Sequence, residues 1–359
     1  MNGLISDNQP KEALIYQQQS VRIVVKKMAD AAAIDLLKRT VYGTNGIQYQ
    51  HTGHEAKIHQ LANPFFFHLF SNKELIGIYC LDERKINVSG DSIISGFYGR
   101  YLSITETQQG KGYGRLLKVE AVRYVETHVA TSCIFYSYIE EKNARSLRIS
   151  EREGFTSITT LRTFVFRRYS PKLDSRFTRL PNSDKATLLT KLRRFYETYS
   201  LTTFAYISYQ NNYFVLKEGD EIIAGVQANP VCWKFSAMPG LSGWVMMNML
   251  PLSSVTRRFF DPANYQFVTL EGIYLKEGRE DVFSVLLESV LAHVNCHSAL
   301  LQIDTKDPLN KLLTDSKRMG PLSGFQKNIT THVMVKTSSD EPVLINPDAP
   351  VYVSSFDFS

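Results

Sequence analysis

The chain has 359 residues, of which 43% are hydrophobic and 21% charged, and this composition excludes a disordered, collagen-like or coiled-coil protein. The net charge of +6 is mildly basic and does not by itself indicate nucleic-acid binding. Four scattered cysteines without a CxxC spacing argue against a disulfide scaffold and against a zinc site, so we expect no metal ion. Without a signal-peptide pattern or an apolar stretch of about 18–20 residues, we expect a cytoplasmic protein that does not enter a membrane.

The first half of the chain alternates strand and helix patterns. Residues 1–19 are polar and rich in glutamine, and we interpret them as an N-terminal extension. An alternating, β-branched run then predicts a strand over 21–26, and Asp30 begins a predicted helix over 30–39. Polar turns at 72–74 and 82–84 separate further predicted strands, which cover residues 66–70, 75–81, 85–88 and 92–104.

A polar, glycine-rich loop over 105–114 leads into the next predicted helix, over 115–128. The half then continues with a strand, a helix that Gly154 ends and a last strand, at 133–139, 144–153 and 160–168. The second half repeats this order up to residue 336, with Gly324-Phe325 in the place of Gly154-Phe155 and almost no identity. A linker at 170–174 and the length of the chain predict two domains with one fold, over 20–170 and 171–359.

The segment Gln109-Gly110-Lys111-Gly112-Tyr113-Gly114 is the motif that carries chemistry. Glycines between a strand and a helix let backbone N–H groups face a bound anion, because no Cβ blocks the approach. The positive end of the following helix adds to this attraction. The glycine spacing is neither a P-loop nor a Rossmann fingerprint, so it predicts a phosphate or pyrophosphate site of another kind.

A second motif follows the next predicted strand, where Asn143-Ala-Arg-Ser146 precedes Gly154-Phe155. Taken with Gln-x-x-Gly-x-Gly at 109–114 and the strand end at 102–105, it resembles the GNAT superfamily of acyl-CoA-dependent N-acyltransferases. The resemblance is most specific over residues 92–168. It implies an α/β (α+β) fold of two tandem GNAT-like domains, each a mixed, mostly antiparallel twisted sheet flanked by helices.

The resemblance also implies acetyl-CoA as the co-substrate. The backbone of residues 109–114 would hold the coenzyme pyrophosphate, and Gly114 would allow close packing at the start of the helix. The strand end at Leu102 and Ile104 would offer backbone groups to the pantetheine arm, in a slot opened where this strand splays from the 133–139 strand. Coenzyme contacts are implied for Leu102, Ser103, Ile104, Gln109, Gly110, Lys111, Gly112, Tyr113, Gly114, Arg115, Asn143 and Ser146.

The implied reaction is direct attack of an amine on the thioester, with the oxyanion held by a backbone N–H near Ser103 or Ile104. The family often has a tyrosine, acting as general acid, at the position of Ser150, whose hydroxyl is a poor proton donor. A water, another tyrosine or a weakened copy are the alternatives. We take Ser150, Tyr138 and Glu106 as the candidate catalytic residues.

The corresponding loop of the second half, 274–281, has one glycine and three acids, which are Glu277, Glu280 and Asp281. Acids at a helix start repel a pyrophosphate, so we expect this half to be degenerate and not to bind coenzyme A. We expect it to wall the acceptor site instead, with the candidates Trp233, Trp244, Phe259, Phe260, Met246, Met247 and Met249. A histidine-rich segment is interpreted as a specificity region rather than a metal site, and it contains His51, His54 and His59.

One stretch of the chain accounts for the excess of positive charge. Residues 142–180 contain ten basic and three acidic residues. Lys142 or Arg145 could meet the nucleotide phosphates there, and the rest is interpreted as a solvated face or a seam between the domains.

The sequence therefore predicts an N-acetyltransferase that transfers an acetyl group from acetyl-CoA to a primary amine of a small molecule or peptide. The alternative is a non-catalytic coenzyme A-binding or scaffold protein, which Ser150 keeps open. The sequence has no recognised nucleic-acid-binding motif, and we expect neither nucleic acid nor membrane as a partner. We expect a monomer or a homodimer.

Overall fold

The predicted helices and strands occur in the predicted order, and the structure adds elements that the sequence did not predict, at Glu12–Gln18, Gln48–His51, His54–Ile58, Gly240–Asn248 and Ser254–Arg257. The computed structural model describes residues 12–43, 46–90, 92–129, 132–314, 319, 330–338 and 345–358, so the predicted pair Gly324-Phe325 lies outside the described residues. The elements of the first half are β1 Glu12–Gln18, β2 Val21–Lys26, α1 Ala31–Arg39, β3 Gln48–His51, α2 His54–Ile58, β4 Pro64–Ser71, β5 Glu74–Ser89, β6 Ser92–Ile104, α3 Tyr113–His128, β7 Cys133–Glu140, α4 Ala144–Arg152 and β8 Thr156–Arg167. Those of the second half are β9 Phe177–Arg179, α5 Lys185–Phe195, β10 Tyr213–Glu218, β11 Glu221–Ala237, α6 Gly240–Asn248, α7 Ser254–Arg257, β12 Tyr265–Leu275, α8 Phe283–Val294, β13 Ser298–Asp304, α9 Leu309–Leu313 and β14 Thr330–Thr337.

The described strands form one mostly antiparallel sheet. Across it they run in the order β1-β2-β4-β5-β6-β7-β14-β8-β13-β12-β11-β10-β9, and β3 pairs with β11. Each half contributes one parallel pair, β6 with β7 and β12 with β13. The predicted fold class is confirmed: the fold is mixed α/β, with a twisted, mostly antiparallel sheet flanked by helices.

The last strand of each half lies in the sheet of the other half. β14 pairs with β7, β8 pairs with β13, and the two exchanged strands pair with each other at the centre of the sheet. The sequence did not predict this exchange, because periodicity identifies a strand but not its neighbour. A continuous sheet therefore joins the two halves, and the domain division at residues 170 and 171 stays a prediction.

The segment interpreted as an N-terminal extension includes a strand. Strand β1 pairs with β2 in an antiparallel register, and the side chains of Ala13 and Ile15 pack against the core. Gln17 and Gln18 lie on this edge strand, which tolerates polar side chains because one of its sides faces solvent.

The polar turn predicted over 82–84 is wrong, because β5 runs through it without a break. Asp82 and Arg84 are buried there. The Arg84 guanidinium donates to Asp82 Oδ2 at 2.7 Å and to Asp357 Oδ2 at 2.8 Å, so these charges are neutralised inside the fold. A buried carboxylate is compatible with a strand when its charge is paired, and the sequence alone does not show the partner from the far end of the chain.

Helix α3 is fixed to the sheet by an apolar face. Leu117, Ala121 and Val125 are fully buried on its inner side, where the helix packs on β4, β5 and β6. Each leucine or valine buried in this way contributes about 1.5–3 kcal/mol. This packing holds the first turn of α3 beside the end of β6. Among the described helices, none is long and apolar enough to cross a lipid bilayer.

Candidate functional site

The two central strands of the first half separate towards the end of β6 that leads into the glycine loop. β6 and β7 pair in parallel only as far as Tyr98 and Tyr136. A bulge in β6 follows, where Tyr101 has a φ of 60° and the register with β5 shifts. The backbone of β6 beyond Tyr98 is therefore not paired with β7, and a slot opens between the two strands.

The glycine loop joins this strand end to an open helix start. Gly110 and Gly112 have φ values of 84° and 85°, the left-handed region that favours glycine. A Cβ at either glycine would meet no described atom within 4 Å, so the backbone angle and not crowding requires glycine here. No side chain among the described residues caps α3, which leaves its first N–H groups open to a ligand.

A cavity of about 860 Å³, called the first cavity, lies between the loop, the end of β6, the end of α1 and α4. Its volume is in the range of ligand pockets, about 300–1,000 Å³. The charged residues that line it are Arg39, Arg115, Arg145, Arg148, Arg152, Glu74 and Glu106. Among the described residues, three arginines of α4 have no carboxylate partner, and they are Arg145, Arg148 and Arg152. The first cavity is therefore suited to an anion.

A second cavity, of about 410 Å³, adjoins the first. The wall that the two cavities share is made of Tyr42, Gly43, Leu102, Asn143, Ser146 and Ile149. Both halves of the chain line the second cavity. Tyr98 and Tyr138 come from the first half, and Trp233 and Gln302 come from the second.

Most of the residues predicted to bind coenzyme line the first cavity. They are Leu102, Ser103, Ile104, Gln109, Gly110, Gly112, Gly114, Arg115, Asn143 and Ser146. Gln109 Nε2 donates to the carbonyl of Ile104 at 3.1 Å and ties the loop to the strand. The Asn143 side chain begins α4, since its Oδ1 accepts from the backbone N–H of Ser146 at 3.2 Å.

Four predicted details differ from the structure. Lys111 Nζ donates to Gln108 Oε1 at 2.8 Å on the exposed side of the loop, and Tyr113 packs against the core. The close packing expected at Gly114 is wrong, because outside its own helix and chain neighbours the described atom nearest to an added Cβ is Ile104 Cγ1, at 3.8 Å. Lys142 lies at the second cavity, whereas Arg145 lies at the first.

The three candidate catalytic residues do not meet at one point. Glu106 lines the first cavity from an exposed turn, whereas Ser150 and Tyr138 line the second. Burial raises the pKa of the Tyr138 hydroxyl well above its usual value, so this phenol is a weaker acid than a free tyrosine. Ser150 is buried, and its Oγ donates to the carbonyl of Ser146 at 2.9 Å.

A buried lysine that the sequence analysis did not single out contacts Ser150. Lys118 Nζ of α3 donates to Ser150 Oγ at 2.6 Å and lies 3.8 Å from the centre of the Phe155 ring. Burial lowers the pKa of Lys118 to about 7. The signal was present in the sequence, because Lys118 stands four and seven residues before Val122 and Val125 on a largely apolar helix face.

The outer wall of the second cavity is aromatic. Strand β3 pairs with β11 of the other half, which brings Tyr49 onto Trp233 with ring centres 4.0 Å apart and His51 beside them. Glu140, at the end of β7, adds a carboxylate to the same cavity. Of the candidates named for the acceptor wall, Trp233 lines it, whereas Trp244 is 54% exposed and the other two aromatics pack elsewhere, Phe259 on Tyr169 and Phe260 on Phe235.

Solved structures with a bound acyl-coenzyme A match this architecture. Two crystal structures of Saccharomyces cerevisiae N-myristoyltransferase, one with myristoyl-CoA and one with myristoyl-CoA and inhibitors, each give a TM-score of 0.60 at 10% identity. The first match covers 92% of this chain and 85% of that chain, and the second covers 89% and 81%. The chain has the GNAT fold. At this identity the likeness shows the fold alone.

A GCN5-related N-acetyltransferase from Sphaerobacter thermophilus is also similar, with a TM-score of 0.47, 12% identity and coverage of 78% of this chain and 82% of that chain. No protein-family model matches the sequence, and no curated protein matches it. The placement of residues within this GNAT fold therefore rests on the geometry of the chain itself.

The second half of the GNAT fold has a different loop before its long helix. A cavity of about 830 Å³ lies there, lined among others by Lys276, Glu277 and Glu280. Gly278 has a φ of 73°, and a short turn of 3-10 helix over Glu280–Val282 precedes α8. This helix start carries acids where α3 carries glycines.

Proposed function

We propose that the protein transfers the acyl group of a coenzyme A thioester, acetyl-CoA by our sequence prediction, to a primary amine of a small molecule or peptide. The observation that carries this proposal is the uncapped start of α3 behind Gly110 and Gly112. It opens into the first cavity, which shares Leu102 and Ser146 with the second cavity, and β6 and β7 both line the second cavity. An anion site and a strand edge that are joined in this way suit a long molecule with a phosphate end and an amide-containing arm.

The positive charge of the first cavity supports the binding of the phosphate end of such a ligand. Arg145, Arg148 and Arg152 line the first cavity without a carboxylate partner among the described residues. Guanidinium groups bind phosphate oxygens through paired N–H donors, and the positive end of α3 adds to the attraction. We expect the nucleotide and pyrophosphate to lie here.

The reacting end of the ligand is supported by the second cavity. The edge of β6 that is not paired with β7 leads from the first cavity into it, past the shared wall of Leu102 and Ser146. An amine acceptor would enter beside the aromatic wall of Tyr49 and Trp233, with the Glu140 carboxylate to attract its positive charge. Aromatic faces and carboxylates both stabilise an ammonium group.

A second candidate function is coenzyme A binding without catalysis. The observation that favours it is Ser150, whose hydroxyl hydrogen is already donated to the carbonyl of Ser146. A chain without a usable proton donor would bind the coenzyme and release no thiol.

The two candidates are separated by measuring thiol release and coenzyme A binding on the same preparation. Acetyl-CoA and myristoyl-CoA are each incubated with a panel of small-molecule and peptide amines, and coenzyme A binding is measured by calorimetry. Amine-dependent thiol release supports acyl transfer, and the better donor identifies the acyl length. Binding without release with any donor and amine supports the second candidate, and the absence of binding contradicts both.

A further inference from the structure

A buried amine lies at the inner end of the second cavity. Lys118 projects from α3, and Ser150 from α4 meets it with an Nζ–Oγ distance of 2.6 Å. Both side chains line the cavity, and Lys118 is only 4% exposed. A lysine is almost never buried to this extent unless its charge is paired or its role requires it. Among the described residues, Ser150 Oγ is the one hydrogen-bond acceptor of Lys118 Nζ. An ammonium group has three N–H donors, so the others are available to a ligand.

The surroundings of Lys118 bring the pKa of its amine close to 7. Burial is the largest influence and lowers its pKa to about 7, while Glu153 at the end of α4 raises it and Lys336 on β14 lowers it. The Glu153 carboxylate is shared with Arg115, which donates to it at 2.6 Å. From β7, Tyr138 and Glu140 face the same cavity.

We propose that Lys118 is the general acid that gives a proton to the sulfur of the leaving coenzyme A, and that Ser150 is the positioning residue that holds its ammonium group. This inference rests on the proposed function, because it requires the thioester to reach the second cavity. It gives Ser150 a role that does not need a serine hydroxyl to act as an acid.

The step balances in atoms and electrons. The neutral amine attacks the thioester carbonyl carbon, a C–N bond forms, and the amine loses one proton to solvent. The C–S bond breaks, and its electron pair passes to sulfur. Lys118 gives one Nζ proton to this sulfur, so the products are an amide and a free thiol, and neutral Lys118 takes a proton back from water.

The energetics favour Lys118 over the other donors in the cavity. An acid with a pKa of about 7 transfers a proton downhill to a thiolate, whose conjugate thiol resembles cysteine with a pKa of about 8.5. The Tyr138 hydroxyl, with its pKa raised by burial, would transfer a proton uphill. Ser150 is worse still as an acid, since its hydroxyl hydrogen is donated to Ser146.

The first arm of the test needs no turnover. The Nζ signal of Lys118, assigned with Lys118→Met, is followed by NMR as lysine-labelled wild type binds coenzyme A or desulfo-coenzyme A, and Lys311 in the cavity of the second half gives the control signal. We expect the Lys118 signal to shift with coenzyme A much more than with desulfo-coenzyme A, because only coenzyme A places a sulfur beside Nζ. We expect the Lys311 signal to shift with neither ligand. A Lys118 signal that does not distinguish the two ligands overturns the proposal.

The second arm uses donors with different leaving groups. Lys118→Met is expected to lose at least tenfold in rate with the coenzyme A thioester but much less with an aryl thioester, whose thiolate leaves without a proton. With an amine of low pKa as acceptor, the wild-type rate should fall above about pH 7, and Ser150→Ala should move this fall to lower pH because the ammonium loses its acceptor. Equal losses with both donors, or a pH profile unchanged in both variants, would show a structural role and overturn the proposal.

The two proposals fail in different ways. If the wild type does not bind coenzyme A, the proposed function is wrong, and the role of Lys118 is wrong as well because it requires the bound thioester. If it binds the coenzyme and the Lys118 signal does not distinguish coenzyme A from desulfo-coenzyme A, only the role of Lys118 fails. The thermal melting temperature of each variant shows whether a lost signal comes from unfolding.

Discussion

The segments from β6 to α3 and from β12 to α8 have the same order of strand, loop and helix but opposite chemistry. The first has Gly110 and Gly112 at positive φ before an uncapped helix start. The second has one glycine in its loop, Gly278, followed by two acids, Glu280 and Asp281. The cavities beside them are of similar size, about 860 and 830 Å³. Size therefore does not distinguish the two segments, whereas the residues at the helix start do.

Two cations of the second segment are paired with carboxylates. Arg279 Nη1 donates to Glu218 Oε2, and Lys276 Nζ donates to Glu221 Oε2, each at 2.7 Å. In the first segment, Arg145 and Arg148 face the cavity without such a partner among the described residues. A fold can therefore be repeated while the glycine-rich loop at its helix start is lost.

The largest expected effect is that of Gly112→Val, compared with Gly278→Val. A β-branched residue at positive φ costs about 1–3 kcal/mol, and at Gly112 its side chain would also point into the ligand space. We expect coenzyme A affinity to fall by about 10–100-fold or more for Gly112→Val, measured by calorimetry. Gly278→Val carries the same backbone strain, and its coenzyme A affinity should equal that of the wild type. Equal losses in both variants would break the comparison.

The next prediction concerns Asp307, which stands before α9 in the second half as Asn143 stands before α4 in the first. Asp307 is buried before α9, and burial raises the pKa of its carboxyl from 3.8 to about 6. The folded state then binds this proton more tightly than the unfolded state, so stability falls as pH rises from about 4 to 6. Asp307→Asn should increase the free energy of unfolding by about 2 kcal/mol at pH 7 and leave it almost unchanged at pH 4, measured by denaturant titration. A gain of the same size at both pH values would contradict the assignment.

The opposite substitution, Asn143→Asp, tests the first half of the chain. Asn143 begins α4 at the wall between the two cavities, and aspartate caps a helix about as well as asparagine. Asn143→Asp should therefore keep its melting temperature but bind coenzyme A about tenfold more weakly, since a new anion in a partly enclosed site costs about 1 kcal/mol or more. Unchanged affinity would place the coenzyme away from this wall.

The smallest effect is expected from the exposed arginines. Arg148→Gln should weaken coenzyme A binding by about two- to fivefold at low salt, and the difference should shrink at high salt as the charge is screened. The matched control is Lys311→Gln, which removes a cation from the cavity of the second half and should leave the affinity unchanged. A loss that does not depend on salt would contradict an electrostatic role.

The sequence predicts the features of the fold and site that are local. Gly110 and Gly112 could be predicted as parts of an anion-binding loop, because this role depends on the backbone angles of residues within one loop. The helix after Asn143 was predictable as well, whereas Asn143 itself was singled out by the family resemblance and not as the cap that the structure shows. The order of elements was predictable as well, since the apolar periodicity of a helix or strand is visible in a short window.

The features that depend on distant contacts were not predictable. Strand β14 lies between β7 and β8, and the residues of β14 alone do not indicate these neighbours. Arg84 suggested a turn because its partner Asp357 is 273 residues away. Lys118 and Ser150 meet across two helices that are 32 residues apart in the chain, so their contact appears only when both helices are packed on the sheet.

The central claim is that one of the two similar segments binds coenzyme A and the other does not. The most direct test is the stoichiometry of coenzyme A binding to the full chain, measured by titration calorimetry. The account predicts one coenzyme A per chain. Two per chain, or none, would contradict it.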